Sequence, residues 1–139
     1  MNKYILFLLV CFLNIVLGCA DSNPQNRLKI EGEVTLGGKP VNNGNIEFEP
    51  VGTQKERTHS GSVITNGKYL LPAAQGLAAG EYRVRISVME EVPGSRIDNP
   101  DPMLSKVEYR DMAPPEFGSQ TIQKITVETD KVNKFDFKM

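Results

Sequence analysis

The sequence predicts an all-β protein, a seven-stranded Greek-key β-sandwich in a single domain. Residues 28–139 hold seven short runs in which apolar and polar residues alternate, a pattern typical of strands that bury one face. Turn-forming residues separate the runs, and no window of 11 residues shows a helical period. A chain of 139 residues has the length of one domain. Short strands with turns at such intervals are typical of a Greek-key sandwich.

The composition is that of a folded protein without a nucleic-acid partner. With 24% charged and 40% hydrophobic residues, the chain can bury a core. Its formal net charge is −1 without a basic block, whereas binding to phosphates needs clustered Lys and Arg. Both cysteines, Cys11 and Cys19, lie near the N-terminus. We therefore expect neither a disulfide framework nor a cysteine zinc site in the remainder of the chain.

Residues 1–18 predict a signal peptide rather than a part of the fold. Lys3 supplies a positive charge ahead of an apolar run at residues 4–17. This run of 14 residues is too short to span a bilayer, because spanning takes about 20 apolar residues.

The apolar run ends in two aliphatic residues, a glycine and a cysteine. These are Val16, Leu17, Gly18 and Cys19. The motif resembles the bacterial lipobox, which implies that Cys19 carries covalent lipid and becomes the first residue of the mature protein. Such lipid suffices for a stable membrane anchor, and we expect no other cofactor. The alternative is an ordinary secretory signal that leaves a free thiol, which is unfavourable in an oxidising compartment.

Residues 19–27 predict a lipidated tether. They are polar and rich in turn formers after the cysteine, which suits a flexible connection. In lipoproteins an aspartate directly after the cysteine can signal retention in the inner membrane, and this chain has Ala20 there. The periplasmic face of the outer membrane or the cell surface is therefore favoured. The mature part holds 15 basic and 17 acidic residues, so the lipid alone is expected to hold it to the membrane.

Two strands open the predicted domain. Residues 28–36 form the first, and glycines and a proline at residues 37–40 break the chain. Residues 45–49 form the second, with Ile46 and Phe48 facing inward.

Three further strands follow. Residues 58–64 form the third, and Asn66-Gly67 predicts a two-residue hairpin into the fourth at residues 68–71, because both turn positions need positive φ. The fifth ends a glycine-bounded stretch at residues 76–88 and shows the cleanest alternation in the chain. Its inward residues are Tyr82, Val84, Ile86 and Val88, and its outward charges are Glu81, Arg83 and Arg85.

Those outward charges predict cross-strand ion pairs on a solvated face. The candidate partners are Glu31, Glu33, Glu47 and Glu49.

Residues 90–119 form a long segment that we expect to be irregular, since five prolines interrupt it. Segments of this length are functional or disordered in compact domains. Strands at residues 120–127 and 132–138 close the chain. Because Phe135 and Phe137 face inward, we expect replacement of either by alanine to cost about 3 kcal/mol or more.

Four segments carry a family resemblance, at residues 30–41, 44–50, 65–69 and 80–84. They resemble the carboxypeptidase regulatory-like family, whose members are transthyretin-like, Ig-like sandwich modules. A lipobox followed by one such module is similar to many small lipoproteins of planctomycete-type bacteria. The resemblance implies a module at residues 28–139 with a non-catalytic role in adhesion, scaffolding or stabilisation of a neighbouring domain.

His59 is the only histidine. Transthyretin-like hydroxyisourate hydrolases use several histidines, an arginine and a characteristic C-terminal tetrapeptide, so the resemblance does not extend to that enzyme. A transition-metal site needs three or four converging ligands, and we interpret His59 as a half-exposed strand residue. No nucleophile, base and orienting residue are brought together by their spacing, and we expect no enzymatic activity.

Asp98, Asn99 and Asp101 are the candidate metal ligands. Their oxygens could bind calcium, although calcium takes six to eight oxygens and the spacing is not that of an EF-hand. The alternative is an Asx-Pro turn. Further carboxylates in the same segment are Glu90, Glu91 and Asp111.

Apolar residues in the same segment could meet a protein partner in the cell envelope. The alternative is that they cover one open end of the sandwich. The principal candidates are Met103, Leu104, Tyr109 and Phe117, together with Val107 and Met112.

The sequence thus favours a lipid-anchored, extracytoplasmic module with a non-catalytic structural or protein-interaction role in the cell envelope. The alternative is a ligand-binding module that takes calcium, a glycan or a peptide at residues 90–119. An ordered apolar groove beside that segment would favour the alternative.

Overall fold

The computed structural model describes residue 23 and residues 26–53 and 58–139. In these residues the protein is all-β, and its strands form two sheets. The described part has nine strands, two more than predicted. They are β1 (Ile30–Leu36), β2 (Lys39–Pro40), β3 (Gly44–Pro50), β4 (Ser60–Ile64), β5 (Lys68–Leu71), β6 (Gly80–Glu91), β7 (Tyr109–Asp111), β8 (Lys124–Val127) and β9 (Phe137–Lys138).

The two sheets differ in their pairing. In the first sheet β1 pairs antiparallel with β2 and β5 and parallel with β9. The second sheet is antiparallel in the order β4-β3-β6-β7, and β8 also pairs with β6. β6 is therefore the central strand of the second sheet.

A shared core joins the sheets, in the manner of a β-sandwich. The ring of Phe48 on β3 lies 5.9 Å from that of Tyr69 on β5, measured between centroids. The Tyr69 ring lies 6.4 Å from the ring of Phe137 on β9. The inward face predicted for β6 is confirmed, since its four residues Tyr82, Val84, Ile86 and Val88 are all buried.

Two tight turns connect neighbouring strands in the way that positive φ angles allow. The predicted hairpin is confirmed, with φ of 51° at Asn66 and 75° at Gly67. A second turn of the same kind joins β1 to β2, with φ of 57° at Gly37 and 78° at Gly38. This second turn was predicted only as a break in the chain.

The C-terminal strand is shorter than predicted, because the carbonyl of Phe135 turns away from the ladder. The Tyr69 hydroxyl donates to that carbonyl oxygen at 2.7 Å. The same oxygen occupies the space that a Cβ on Gly32 of β1 would need. The chain nevertheless stays beside β1, since Phe135 N donates to Glu31 O at 2.9 Å and Met139 N to Thr35 O at 2.9 Å.

Three other predicted strands also begin late. β1 starts at Ile30 rather than at residue 28. β8 starts at Lys124 rather than at residue 120, because the preceding residues turn on Pro114 and Pro115 and Gln120 N donates to Pro115 O at 2.9 Å. β4 starts at Ser60.

Thr58, just before β4, belongs instead to a buried hydrogen-bond network with Tyr82. Its hydroxyl oxygen lies 2.7 Å from the Tyr82 hydroxyl and accepts from Ala78 N at 2.9 Å. The Tyr82 hydroxyl donates to Ala78 O at 2.9 Å. These buried polar atoms are therefore satisfied. A tyrosine bonded to the backbone a few residues upstream has the geometry of a tyrosine corner.

Helical structure in the described residues is limited to two short 3-10 turns, Ala73–Gln75 and Pro102–Leu104. None of the helical turns among these residues has the length and apolarity needed to cross a bilayer.

Candidate functional site

Residues 89–111, which we call the arm, extend beyond the sandwich as a two-stranded hairpin. β6 continues to Glu91 and pairs with β7. Beyond them Val92 N donates to Glu108 O at 2.9 Å, and Ile97 and Lys106 exchange two backbone hydrogen bonds at 2.9 and 3.0 Å. The prediction of an irregular segment is thus wrong here. The prolines of the arm lie between the paired positions, where no backbone N–H donor is needed.

The tip of the arm is ordered by side chains that bond to its own backbone. Asp101 Oδ1 accepts from Met103 N at 3.0 Å and caps the Pro102–Leu104 turn. Asn99 Oδ1 accepts from Asp101 N at 3.0 Å, and Asn99 N donates to Ser105 Oγ at 3.0 Å. This is the Asx-turn arrangement given above as the alternative to a calcium site.

The arm leaves apolar side chains in solvent. Met103 is 92% exposed and Leu104 59%. Tyr109, another of the apolar candidates, is also exposed. The structure adds Ile97, which is 60% exposed. An isoleucine between a charged arginine and aspartate is the signal that could have identified it.

The remaining apolar candidates are not all on the arm. Phe117 packs against the core, and its carbonyl accepts from Ile86 N at 2.7 Å. It therefore covers the edge of the sandwich beside β6. Val107 is half-buried, and Met112, just after β7, is exposed.

A groove of about 560 Å³ lies at the base of the arm, and we call it the distal groove. Buried Val41 and Val88 are among its lining residues, and exposed Lys39 and Glu90 supply charges. The other residues that line it are Leu36, Pro40, Asn42, Asn43 and Met89.

The arm and the start of the domain lie at opposite ends of the sandwich. Leu28 exchanges backbone hydrogen bonds with Leu77, just before β6 begins, at 2.7 and 3.2 Å. β1 then runs to Leu36, which lines the distal groove together with Met89 near the end of β6. The chain therefore enters where β6 begins, and the arm leaves where β6 ends.

The predicted charge pairs are partly confirmed. Arg83 lies 3.7 Å from Glu49, and Arg85 lies 3.9 Å from Glu47. All four side chains are exposed, so the pairs contribute little stability. Glu81, the third charged residue of the outward row on β6, pairs with Lys124 of β8 at 2.7 Å.

Glu31 and Glu33 were wrongly predicted as partners of that row, because β1 belongs to the other sheet. Glu31 pairs instead with Lys29 at 2.7 Å. The backbone N of Glu33 donates to Asp136 Oδ1 at 2.8 Å.

His59 is exposed and lies just before β4 rather than within a strand. In the part of the chain that the structure describes, no three His, Cys, Asp or Glu residues lie together in a group that could hold a metal ion. Asp98, Asn99 and Asp101 therefore stay candidate calcium ligands only by prediction from the sequence.

Burial raises the pKa of Tyr69 well above its usual value, and the carboxylate of Asp136 adds to the shift. The neutral hydroxyl is the form that donates to the Phe135 carbonyl. This hydroxyl therefore links the core to the backbone of the C-terminal segment.

Val16, Leu17, Gly18 and Cys19 lie outside the described residues, as do residues 1–18 as a whole. The lipid site and the signal peptide stay predictions from the sequence.

Comparison with known proteins adds little. No family model matches the chain, and no curated protein matches it. Among solved structures, a 9R-lipoxygenase from Cyanothece PCC8801 is similar over 85% of this chain at 14% identity, with a TM-score of 0.35. This chain spans 17% of the length of that lipoxygenase chain. A similarity at this level supports no conclusion about fold or activity.

Proposed function

We propose that the protein is a lipid-anchored, extracytoplasmic β-sandwich module with a non-catalytic structural or protein-interaction role in the bacterial cell envelope. The observation that carries the proposal is the arm. Backbone pairing from Met89 to Lys106 orders it, and yet Ile97, Met103 and Leu104 stand in solvent. Exposed apolar side chains gathered on one projection mark an interaction site.

A non-catalytic role is supported by what the hydroxyl groups do. Ser62 Oγ donates to Leu70 O at 3.0 Å and Ser95 Oγ to Glu108 O at 3.3 Å. Thr58 is held in the buried network around Tyr82. These hydroxyls hold strands and turns together, and none of them is bonded to a general base.

We further propose that the sandwich is a Greek-key module of the carboxypeptidase regulatory-like, transthyretin-like kind. The tyrosine corner at Tyr82 supports this topology, because such corners are a feature of Greek-key sandwiches. The two-sheet architecture agrees with it.

The anchor at Cys19 is tested by metabolic labelling with a palmitate analogue. We expect the label to be incorporated by the native chain and lost in Cys19→Ser. Cys11→Ser is the matched control, because Cys11 lies within the predicted signal peptide, and it should keep the label. Label that persists in Cys19→Ser would refute the anchor.

The second candidate is a ligand-binding module, and the distal groove favours it. The groove lies beside the arm and has a partly apolar lining. The ligand of such a module would be a glycan or a peptide at the groove, or calcium at Asp98, Asn99 and Asp101, which lie on the arm and do not line the groove. For calcium, the test is addition of the ion to the full chain, with Asp98→Asn and Asp101→Asn as controls. An unchanged melting temperature and unchanged protease cutting of the arm would exclude a calcium role.

A further inference from the structure

We infer that the arm and the distal groove together form the docking surface for a basic segment of another envelope protein, which they meet on the side of the domain facing away from the anchoring membrane. The inference rests on the proposed function, because it takes the anchor at Cys19 as given.

The first step is the position of the arm relative to the anchor. β6 has 12 residues and spans roughly 36 Å at about 3.3 Å per residue. The chain enters beside the start of β6, through the contact of Leu28 with Leu77. The nine steps along the chain from Cys19 to Leu28 reach at most about 32 Å when fully extended. The tether therefore limits how far the entry end can lie from the lipid, and the arm, at the other end of β6, can reach farther from the membrane than the entry end.

The second step is the charge of the arm. Residues 89–111 hold six acidic and three basic side chains, a net charge of −3. Arg96 already pairs with Glu91, to which it donates two hydrogen bonds at 2.6 and 3.0 Å. Glu90 and Glu108 are exposed and lie in no ion pair within residues 26–53 and 58–139, although Arg110 stands opposite Glu90 in the ladder of β6 with β7.

The net negative charge of the arm favours some binding partners over others. Anionic lipid headgroups attract basic surfaces and repel acidic ones, so a bilayer is disfavoured. A second copy would bring two acidic arms together, which is unfavourable for the same reason. A partner rich in Lys or Arg complements Glu90 and Glu108 and is steered toward them.

The third step is the apolar part of the surface. Ile97 and Leu104 at the tip are exposed and need apolar contacts from the partner, whereas Val41 and Val88 are already buried and only line the groove. Strand-like peptides send alternate side chains to opposite sides. An extended segment that mixes basic and apolar residues therefore suits both the groove and the arm.

The test begins with a photo-cross-linking amino acid at position 104 of the full-length lipoprotein in living cells. Position 132 is the matched control, because Val132 is 83% exposed but follows β8, which pairs with the start of β6 at the entry end. We expect position 104 to capture one protein, which mass spectrometry identifies, and position 132 not to capture it.

The captured protein is then purified and titrated against variants of the full chain. We expect Glu90→Lys combined with Glu108→Lys to weaken binding about tenfold. Glu47→Lys combined with Glu49→Lys changes the net charge equally on the outer face of the sandwich and should leave the affinity within about twofold. Unchanged melting temperatures show that the variants are folded.

Four results would overturn the inference. They are cross-linking of position 104 to phospholipid, cross-linking to a second copy of this chain, capture of no protein, and equal weakening by both pairs of charge reversals. Each leaves the labelling result at Cys19 intact, so the inference can fail while the proposed anchor stands. Label that persists in Cys19→Ser would instead refute the anchor, and with it the orientation relative to the membrane that the inference assumes.

Discussion

Gly32 is a position where a side chain would overlap a backbone carbonyl. Its Cβ would overlap the carbonyl oxygen of Phe135 and come within 2.8 Å of the Tyr69 hydroxyl. Gly32→Ala is therefore expected to lower the free energy of unfolding by about 2 kcal/mol or more, as overpacking does. Gly118→Ala is the control, because its Cβ would meet its nearest atoms at ordinary distances of 3.6 Å. Urea unfolding measures both, and equal stability of the two variants would contradict the role given to Gly32.

Tyr69 links stability to alkaline pH. Because burial raises its pKa in the folded state, the unfolded chain releases the proton first, at about pH 10. The contribution of the neutral Tyr69 hydroxyl to the free energy of unfolding is complete below that pH. It is lost as the pH rises above it, by up to about 1.4 kcal/mol per pH unit. Tyr69→Phe should flatten this alkaline decline in urea unfolding, while costing about 1 kcal/mol at neutral pH through the unpaired Phe135 carbonyl. An equally steep decline in both proteins would contradict the assignment.

The two phenylalanines at the C-terminus are unequal. Phe137 is buried against Tyr69, whereas Phe135 is only partly buried. Phe137→Ala is expected to cost about 3 kcal/mol, as is usual for a buried phenylalanine. Phe135→Ala should cost clearly less, which revises the equal effect expected from the alternation. The difference in urea midpoints between the two variants measures this.

At the scale of elements, the arm is an addition to the sandwich rather than a support for it. Ile97, Met103 and Leu104 are exposed, so removing them exposes little of the core. Replacing residues 93–107 by Asn-Gly should give a two-residue hairpin closed by Val92 and Glu108. We expect its melting temperature to stay within a few degrees of the native value, while binding of the partner is lost. A collapse of the melting temperature would show that the arm supports the fold.

At the scale of the whole molecule, both sheets share one core and should unfold together. Residues after Asp130 supply Phe137 and the parallel neighbour of β1. A chain that ends at Asp130 is therefore expected to lose its cooperative thermal transition, measured by circular dichroism with the full-length chain as the control. A sharp transition in the shortened chain would contradict the single-core description.

Several features of the fold could be predicted from single stretches of sequence. The alternation of β6 assigns Tyr82 and Val84 to the core, because a strand sends successive side chains to opposite faces. The Asn66-Gly67 turn was predicted in the same way, since a two-residue hairpin needs positive φ at both central positions and Asn-Gly readily adopts it. The lipid site at Cys19 also rests on a local motif, and it stays a prediction.

Tertiary structure decided which strands are neighbours. β4 and β5 follow each other through a hairpin, yet β5 pairs with β1 and β4 with β3, so the two belong to different sheets. For the same reason Glu31 could not be assigned to its salt bridge, nor the arm to a hairpin. Alternation reports which face of a strand is apolar, whereas the backbone groups that pair are the same in every residue. The choice of partner, the bond from Tyr69 to Phe135 and the direction of the arm therefore depend on distant parts of the chain.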